Sequence, residues 1–392
     1  MSLAAGLSPV SSRTTPGRIA VMLPRFSRYG GVEQFAWRLA EALALRGHSV
    51  DFLCARQEAD APEGVSVKVL GRRGGLSFLK MLWFVWSVEH ARREGGYDLS
   101  ISLGKTWNQD MLRVGGGPLD NYHRLSLQAY PAGPGRTLKA VSRLLSPVNA
   151  LTRLVEKRQY ANCPRIVAVS HLVREWICAA HPQRVCDDIA VVYNRPDPER
   201  FAAPDTATRD AARRSMGVPP ECFALGTAST NFMLKGVGPL IEALALVPER
   251  VHLFVAGGRG HARYTEKAEA LGVADRVHFL GKVADMPSFY HALDAFSLPT
   301  YYDACANATM EALACGLRVS SSPRNGASYF LPPENVTANP ADPRELAAMI
   351  TRFTETSPPP PFVWPENTAS GLDAFIELVE EELATRRGNG EP

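Results

Sequence analysis

Between residues 223 and 321, short apolar runs alternate with amphipathic ones, and the connections are brief throughout. The expected strands are 223–228, 252–256, 277–280, 295–298 and 318–321; the expected helices are 237–246, 264–271, 287–293 and 306–314. Runs of four to six residues, mostly apolar in all but the last, fit buried strands, and the longer segments repeat their apolar positions with the period of a helix. Strict alternation of this kind demands a parallel sheet, because each return to a parallel strand needs a helical crossover over one face. Ligands of such a sheet bind beyond the carboxyl ends of its strands.

The first half follows the same plan. A strand is expected over 18–24, a loop over 25–31, and then a helix with apolar Val32, Phe35, Ala36, Leu39, Leu43 and Ala44, ended by Gly47. The next strands are expected at 49–54, at 98–103 before Gly104, at 165–169 before Ser170 and a helix through Ile177, and at 189–193 before the turn Asn194–Asp197. The fold class is therefore α/β, with two Rossmann-like, doubly wound domains. At 392 residues the chain is too long for one ordinary core. The expected division is an N-terminal domain over 17–195, a C-terminal domain over 196–360 and a last helix within 361–392 that returns to the first domain. The Pro-, Asp- and Ala-rich stretch 195–220 marks the boundary, and Ser357–Pro361 is a stiff linker.

Composition excludes several classes. With 45% hydrophobic and 21% charged residues the chain is globular, and a net charge of +3 gives no reason to expect nucleic acid as a partner. The seven cysteines are odd in number, form no C-x-x-C pair, and at 163, 178 and 186 match no zinc spacing. Free buried thiols in a reducing compartment are expected. Met1–Pro16 has no apolar centre and does not read as a signal peptide, and no apolar run reaches the ~20 residues of a membrane span. A cytoplasmic protein follows as an expectation.

The chemistry concentrates in Pro299–Gly316, PTYYDACANATMEALACG. It holds two carboxylates eight positions apart, Asp303 in a loop after a strand and Glu311 about one and a half turns into a helix. Between them the N–H groups of Ala306, Asn307 and Ala308 open the helix, where unpaired donors and the positive end of the dipole favour an anion. An anion flanked by two hydroxyl-binding carboxylates describes a sugar nucleotide: one carboxylate on the sugar, the helix start on the diphosphate, the other carboxylate on the ribose. Spacing alone supports equally well a capping Asp303 and a solvated Glu311.

This segment resembles the E-x7-E signature of the family 4 glycosyltransferases, with Asp303 in place of the first Glu. Gly30 and Gly31, followed by Val32 and Glu33, resemble the N-terminal glycine loop of that family. Lys235-Gly236 resembles its phosphate-binding Lys-Gly, and Val277–Gly281, which includes Leu280, resembles the segment beside its nucleobase. The four motifs fall in order over about 17–331. The group resembled most is the lipopolysaccharide core glucosyltransferases that act on an inner-core heptose; Gly104–Asp110 resembles their stretch between a strand end and an acidic residue.

The resemblance implies a GT-B fold, with two domains facing across a cleft, and a retaining, metal-independent hexosyltransferase. It implies a UDP-sugar, UDP-glucose first, as co-substrate rather than cofactor, and a glycan or glycolipid acceptor. Lys235 would neutralise the leaving diphosphate as a mobile point charge. The glycines would let backbone approach a phosphate. Asp110 would lie near the reacting carbon and the acceptor hydroxyl. The expected catalytic residues are therefore Asp110, Lys235 and Asp303; the expected donor-binding residues are Gly30, Gly31, Lys235, Leu280, Asp303, Ala306, Asn307, Ala308 and Glu311; no metal site is expected.

Three departures from the family stand out. Asp303 is one methylene shorter than Glu, the family's Arg just before the Lys is absent from Asn231–Leu234, and Arg195 replaces the usual Gly after Asn194. They keep open a non-catalytic sugar-nucleotide-binding relative, or a transferase acting on another lipid-linked or small-molecule acceptor. A nicotinamide-dependent dehydrogenase is disfavoured, since no G-x-G-x-x-G follows a strand.

Leu76–Val88 is apolar and aromatic with Arg72, Arg73, Arg92 and Arg93 at its flanks, and reads either as a core helix or as one dipping into a leaflet of anionic lipid. The basic stretch Arg124, Arg136, Lys139, Arg143, Arg153, Lys157 and Arg158 could face the same membrane or a phosphorylated glycolipid. A peripheral protein on the inner face of the inner membrane is the corresponding expectation.

Overall fold

The computed structural model describes residues 15–258 and 260–388. Most of the reading of Met1–Pro16 lies outside them. Twelve strands form two parallel sheets: β1 (Arg18–Met22), β2 (Ser49–Cys54), β3 (Val65–Val69), β4 (Leu99–Ser102), β5 (Met111–Val114), β6 (Arg165–Ala168) and β7 (Ile189–Val191) in the first, β8 (Phe223–Ala228), β9 (Val251–Ala256), β10 (Val277–Gly281), β11 (Ala295–Leu298) and β12 (Arg318–Ser321) in the second. The first runs in the order β3-β2-β1-β4-β5-β6-β7 and the second in the order β10-β9-β8-β11-β12. In both, the order reverses beside the first strand, as in Rossmann sheets, which places the ligand crevice at β1/β4 and at β8/β11.

By contact the chain forms two compact units, Met1–Leu112 with Cys163–Arg165 and Leu372–Pro392, and Arg113–Asn162 with Ile166–Gly371. In the first unit, Ala20 and Met22 of β1 and Leu53 of β2 are buried with Phe84 and Val88 of the helix Ser77–Glu94. Within the same unit the C-terminal helix Gly371–Gly388 packs Phe375 edge-on against Phe35, and its Arg46–Asp373 and Arg387–Asp98 ion pairs lie at the surface. In the second unit, Leu253 and Val255 of β9 and Leu225 of β8 meet Leu240, Ile241 and Leu244 of the helix Val237–Leu244, with Leu346 and Ile350 of the helix Pro343–Glu355. Alternate residues along each strand face this layer, as the two-residue period requires.

One expectation needs correction. Cys178 and Cys186 form a disulfide with their Cα atoms 5.8 Å apart, while Cys54, Cys163, Cys222, Cys305 and Cys315 are buried thiols. The chain turns back after the helix His171–Ala180, and that turn, invisible in the spacing, brings the pair within bridging reach. The basic stretch is largely helical, with Leu119–Ser126, Pro134–Leu144 and Pro147–Asn162 each a helix.

Candidate functional site

Two loops meet at the carboxyl ends of β8 and β11, where the second sheet reverses order. The loop after β8 carries Lys235. Gly236 follows it in the left-handed region (φ 74°) and caps the helix Val237–Leu244. A Cβ at 236 would lie 2.2 Å from the carbonyl oxygen of Pro299, so only glycine lets the two loops touch. The loop after β11 is tied to the first by the Tyr301 N–H, which donates to the Leu234 carbonyl at 2.8 Å, and by the Thr300 hydroxyl on the same oxygen at 3.1 Å. Lys235 Nζ donates to a carboxylate oxygen of Asp303 and, at 3.3 Å, to the carbonyl of Tyr302. Both side chains are mostly shielded from solvent. Lys235 and Asp303, 68 positions apart, thus form one ion pair.

Asp303 is further fixed by backbone. Its N–H donates to the Arg324 carbonyl at 2.9 Å, and its carbonyl accepts from the Gly326 N–H at 3.0 Å. Its second carboxylate oxygen accepts from the Cys305 N–H at 3.2 Å, so Asp303 shapes its own loop and does not cap the helix. The helix itself is Asn307–Ala314, with Ala306 as its N-cap. Here the expectation of three unpaired donors is corrected: the Ala306 N–H donates to Asn325 Oδ1 at 3.0 Å. Asn307 and Ala308 remain in the first turn, where no intrahelical acceptor exists for their N–H groups.

Asn325 is a buried hub that the sequence did not reveal. Its oxygen also accepts from the Ala327 N–H, and its amide donates to Thr309 Oγ1 and Ser321 Oγ, both at 3.0 Å. Tyr290 was missed likewise. Its hydroxyl donates to Glu311 Oε2 at 2.8 Å. Glu311 is half-buried, and burial raises its carboxyl above the usual range against the opposing pull of the Tyr290 hydrogen bond. A desolvated carboxylate with one oxygen held is suited to bind hydroxyls, and is no solvated helix residue.

Leu280 sits at a bulge in β10. Val255 pairs with Phe279 and Ala256 with Gly281, so Leu280 is skipped in the ladder. Beside it, Gly257 and Gly258 follow β9 with positive φ. A Cβ at 257 would lie 2.4 Å from the Ser229 carbonyl oxygen, and one at 258 would lie 2.1 Å from the Phe232 ring. This glycine pair after a strand was a signal in the sequence that the motif reading passed over. Arg195 does not enter this cluster; its guanidinium lies over the Trp364 ring at 5.5 Å.

The remaining expected residues belong to the first unit. Gly30, with φ 102°, caps the helix Gly31–Leu45. Both glycines are exposed at the carboxyl end of β1, but Glu33 folds back over Gly30 and is held by Arg25 at 2.5 Å. Asp110 is engaged on both carboxylate oxygens. Its Oδ2 accepts from the N–H and hydroxyl of Ser100, at 2.7 and 2.6 Å, and its Oδ1 accepts from Arg386 at 2.7 Å. With both oxygens engaged by the chain's own donors, Asp110 ties the C-terminal helix to β4.

The family described as Glycosyltransferase Family 4 matches residues 29–200, and that described as Glycosyl transferases group 1 matches 219–356. The lipopolysaccharide glucosyltransferase WaaG of Escherichia coli is 30% identical over 380 residues, covering 91% of this chain and 94% of that protein. The chain belongs to the family 4 glycosyltransferases. A D-inositol 3-phosphate glycosyltransferase of Rhodococcus opacus is 28% identical over 448 residues, covering 96% of this chain and 95% of its own. Among solved structures, WaaG matches with a TM-score of 0.71 at 20% identity over 94% of each chain. Anabaena HepE in complex with UDP and glucose matches with 0.64 at 19% identity over 94% of this chain and 99% of its own. The fold is GT-B, and the chain is a glycosyltransferase.

Proposed function

We propose that this glycosyltransferase moves glucose from UDP-glucose to a saccharide hydroxyl of a cell-envelope glycan, the lipopolysaccharide core first, with retention of configuration and without metal or cofactor. One observation carries the reading: Lys235, Asp303 and the first turn of Asn307–Ala314 converge where the second sheet reverses order. The names of the E. coli relative and of the UDP- and glucose-bound neighbour support the donor and the glycan class.

In this reading the diphosphate lies on the N–H groups of Asn307 and Ala308 and takes Lys235 from Asp303 as its counter-ion. Asp303, released, accepts from sugar hydroxyls. Glu311, steadied by Tyr290, accepts from the ribose, and the backbone of Leu280, free of the ladder, meets the base edge. The bond from the anomeric carbon to the diphosphate oxygen breaks with its electron pair on the diphosphate, a bond to the acceptor oxygen forms, and the acceptor's proton passes to an oxygen of the leaving diphosphate.

The test is UDP release from a panel of UDP- and GDP-sugars, with and without delipidated core acceptor. Acceptor-dependent release is expected with UDP-glucose, and Glu311→Ala is expected to lower its efficiency about 10–100-fold, the worth of a charged hydrogen bond. Release from no donor would overturn the proposal; release from another sugar alone would overturn the choice of glucose.

We further propose that the protein works at an anionic membrane surface, peripherally on the inner face of the inner membrane. No helix among the described residues is long and apolar enough to cross a membrane. The helix Ser77–Glu94 nevertheless has two apolar faces. Phe84, Val85 and Val88 are buried, while Leu79, Leu82 and Trp86 form an exposed stripe, with Trp86 58% exposed and Arg72 and Arg73 close in sequence. The helix Pro134–Leu144 buries no residue; Leu138 is 71% exposed among Arg136, Lys139 and Arg143. Apolar stripes with basic flanks suit the headgroup region of acidic lipid. The wild type is expected to sediment with phosphatidylglycerol vesicles at low salt and to be released by moderate salt. Leu82→Gln/Trp86→Gln is expected to weaken binding at least tenfold, each lost side chain being worth about 1.5–3 kcal/mol. Wholly soluble wild type at low salt would refute the proposal.

A further inference from the structure

A second chain of contacts runs to the donor helix, within the same unit. Arg113, on β5, is only 5% exposed, and burial pulls its guanidinium down to about 10. Its Nη2 donates to Asn194 Oδ1 at 2.7 Å. The Asn194 amide nitrogen in turn donates to Asn307 Oδ1 at 2.9 Å. Asn307 is exposed and is the first residue of the helix Asn307–Ala314.

The direction of this relay is dictated by its buried end. An amide side chain can turn either oxygen or nitrogen towards a neighbour, and which it shows is decided by the network. A guanidinium offers only donors. Asn194 must therefore show Arg113 its oxygen, which leaves its nitrogen for Asn307. Asn307 must then show Asn194 its oxygen, which leaves its own two N–H donors uncommitted to the relay. A carboxylate at 113, which only accepts, would impose the reverse direction.

We infer that Arg113 and Asn194 are positioning residues that lock the Asn307 side chain with its amide N–H groups available to the donor diphosphate. Asn307 then adds a side-chain donor to the backbone N–H groups of the first turn, in a chain that lacks the family's Arg before Lys235. The inference rests on the proposed donor reading. It goes beyond that reading by assigning a role to three side chains, none of which belongs to the signature pair Asp303 and Glu311.

The test inverts the relay. In Asn194→Asp, the new carboxylate accepts from Arg113 and from Asn307 alike, so Asn307 must turn its nitrogen inward and its oxygen towards the phosphates. Because that carboxylate would gain an ion pair with buried Arg113, the fold is not put at risk, and the thermal midpoint checks this. UDP and uridine are titrated calorimetrically into wild type, Asn194→Asp, Asn307→Ala and the double variant. UDP affinity is expected to fall about 10–100-fold in each single variant, the worth of a hydrogen bond to a charged group, while uridine, which has no phosphate, stays within about twofold. In the Asn307→Ala background, Asn194→Asp is expected to cost little more.

Equal costs of Asn194→Asp in both backgrounds would show that the introduced carboxylate acts by charge alone and would overturn the relay, as would an unchanged ratio of UDP to uridine affinity in the single variants. Wild type that binds uridine no less tightly than UDP would overturn the donor reading, and the relay with it.

Discussion

Lys235→Ala is expected to lower the rate of transfer about 10²–10³-fold, the cost seen when one group aimed at developing charge is removed. The magnitude follows from where the lysine sits. Its ammonium is partly shielded from solvent and meets the Asp303 carboxylate, so it is held in place before any donor arrives. When the glycosidic bond to the diphosphate breaks, negative charge grows on the leaving oxygens, and a cation already in place costs no reorganisation at that moment. The loss should fall on kcat at saturating donor, with the acceptor KM little changed, because the interaction strengthens in the transition state. Lys235→Ala should leave the fold intact, since Gly236 and not the lysine makes the contact with Pro299. Initial rates of UDP release, with the thermal midpoint as control, decide the matter; a loss below about threefold would remove Lys235 from the machinery.

Much of this was legible in the sequence, for a physical reason. The parallel sheets announce themselves because a strand buried on both faces is an uninterrupted apolar run, as in 19–22 or 253–256, and the helices between them carry one apolar face. The donor loops follow from the same pattern, since they must lie after β8 and β11. What stayed hidden depends on contacts distant in sequence. Asn325 satisfies the Ala306 N–H from 19 residues away, and Tyr290 reaches Glu311 from 21. No local spacing encodes either. The engagement of Asp110 was hidden for the same reason: its partner Arg386 is 276 residues away, and an acidic residue after a strand reads alike whether free or engaged. The helix Pro134–Leu144 escaped notice because it buries nothing, so its apolar residues answer to no core.

Gly236→Ala is expected to destabilise the second unit by about 2–5 kcal/mol, the sum of about 1–2 for a non-glycine residue in the left-handed region and about 1–3 for overpacking. The added carbon has no room to move. Its nearest neighbour would be a backbone oxygen, that of Pro299 at 2.2 Å, and no flexible side chain can swing aside. Relief requires the loop after β8 to part from the loop after β11. That separation would break the Tyr301 N–H bond to Leu234 and carry Lys235 away from Asp303. Stability and catalysis should therefore fall together in this variant, whereas Lys235→Ala loses catalysis alone. Thermal unfolding followed beside UDP release separates the two cases. A Gly236→Ala protein with an unchanged midpoint would mean that the loops can part without cost, and that the close approach of 236 to Pro299 is not what holds the lysine on Asp303.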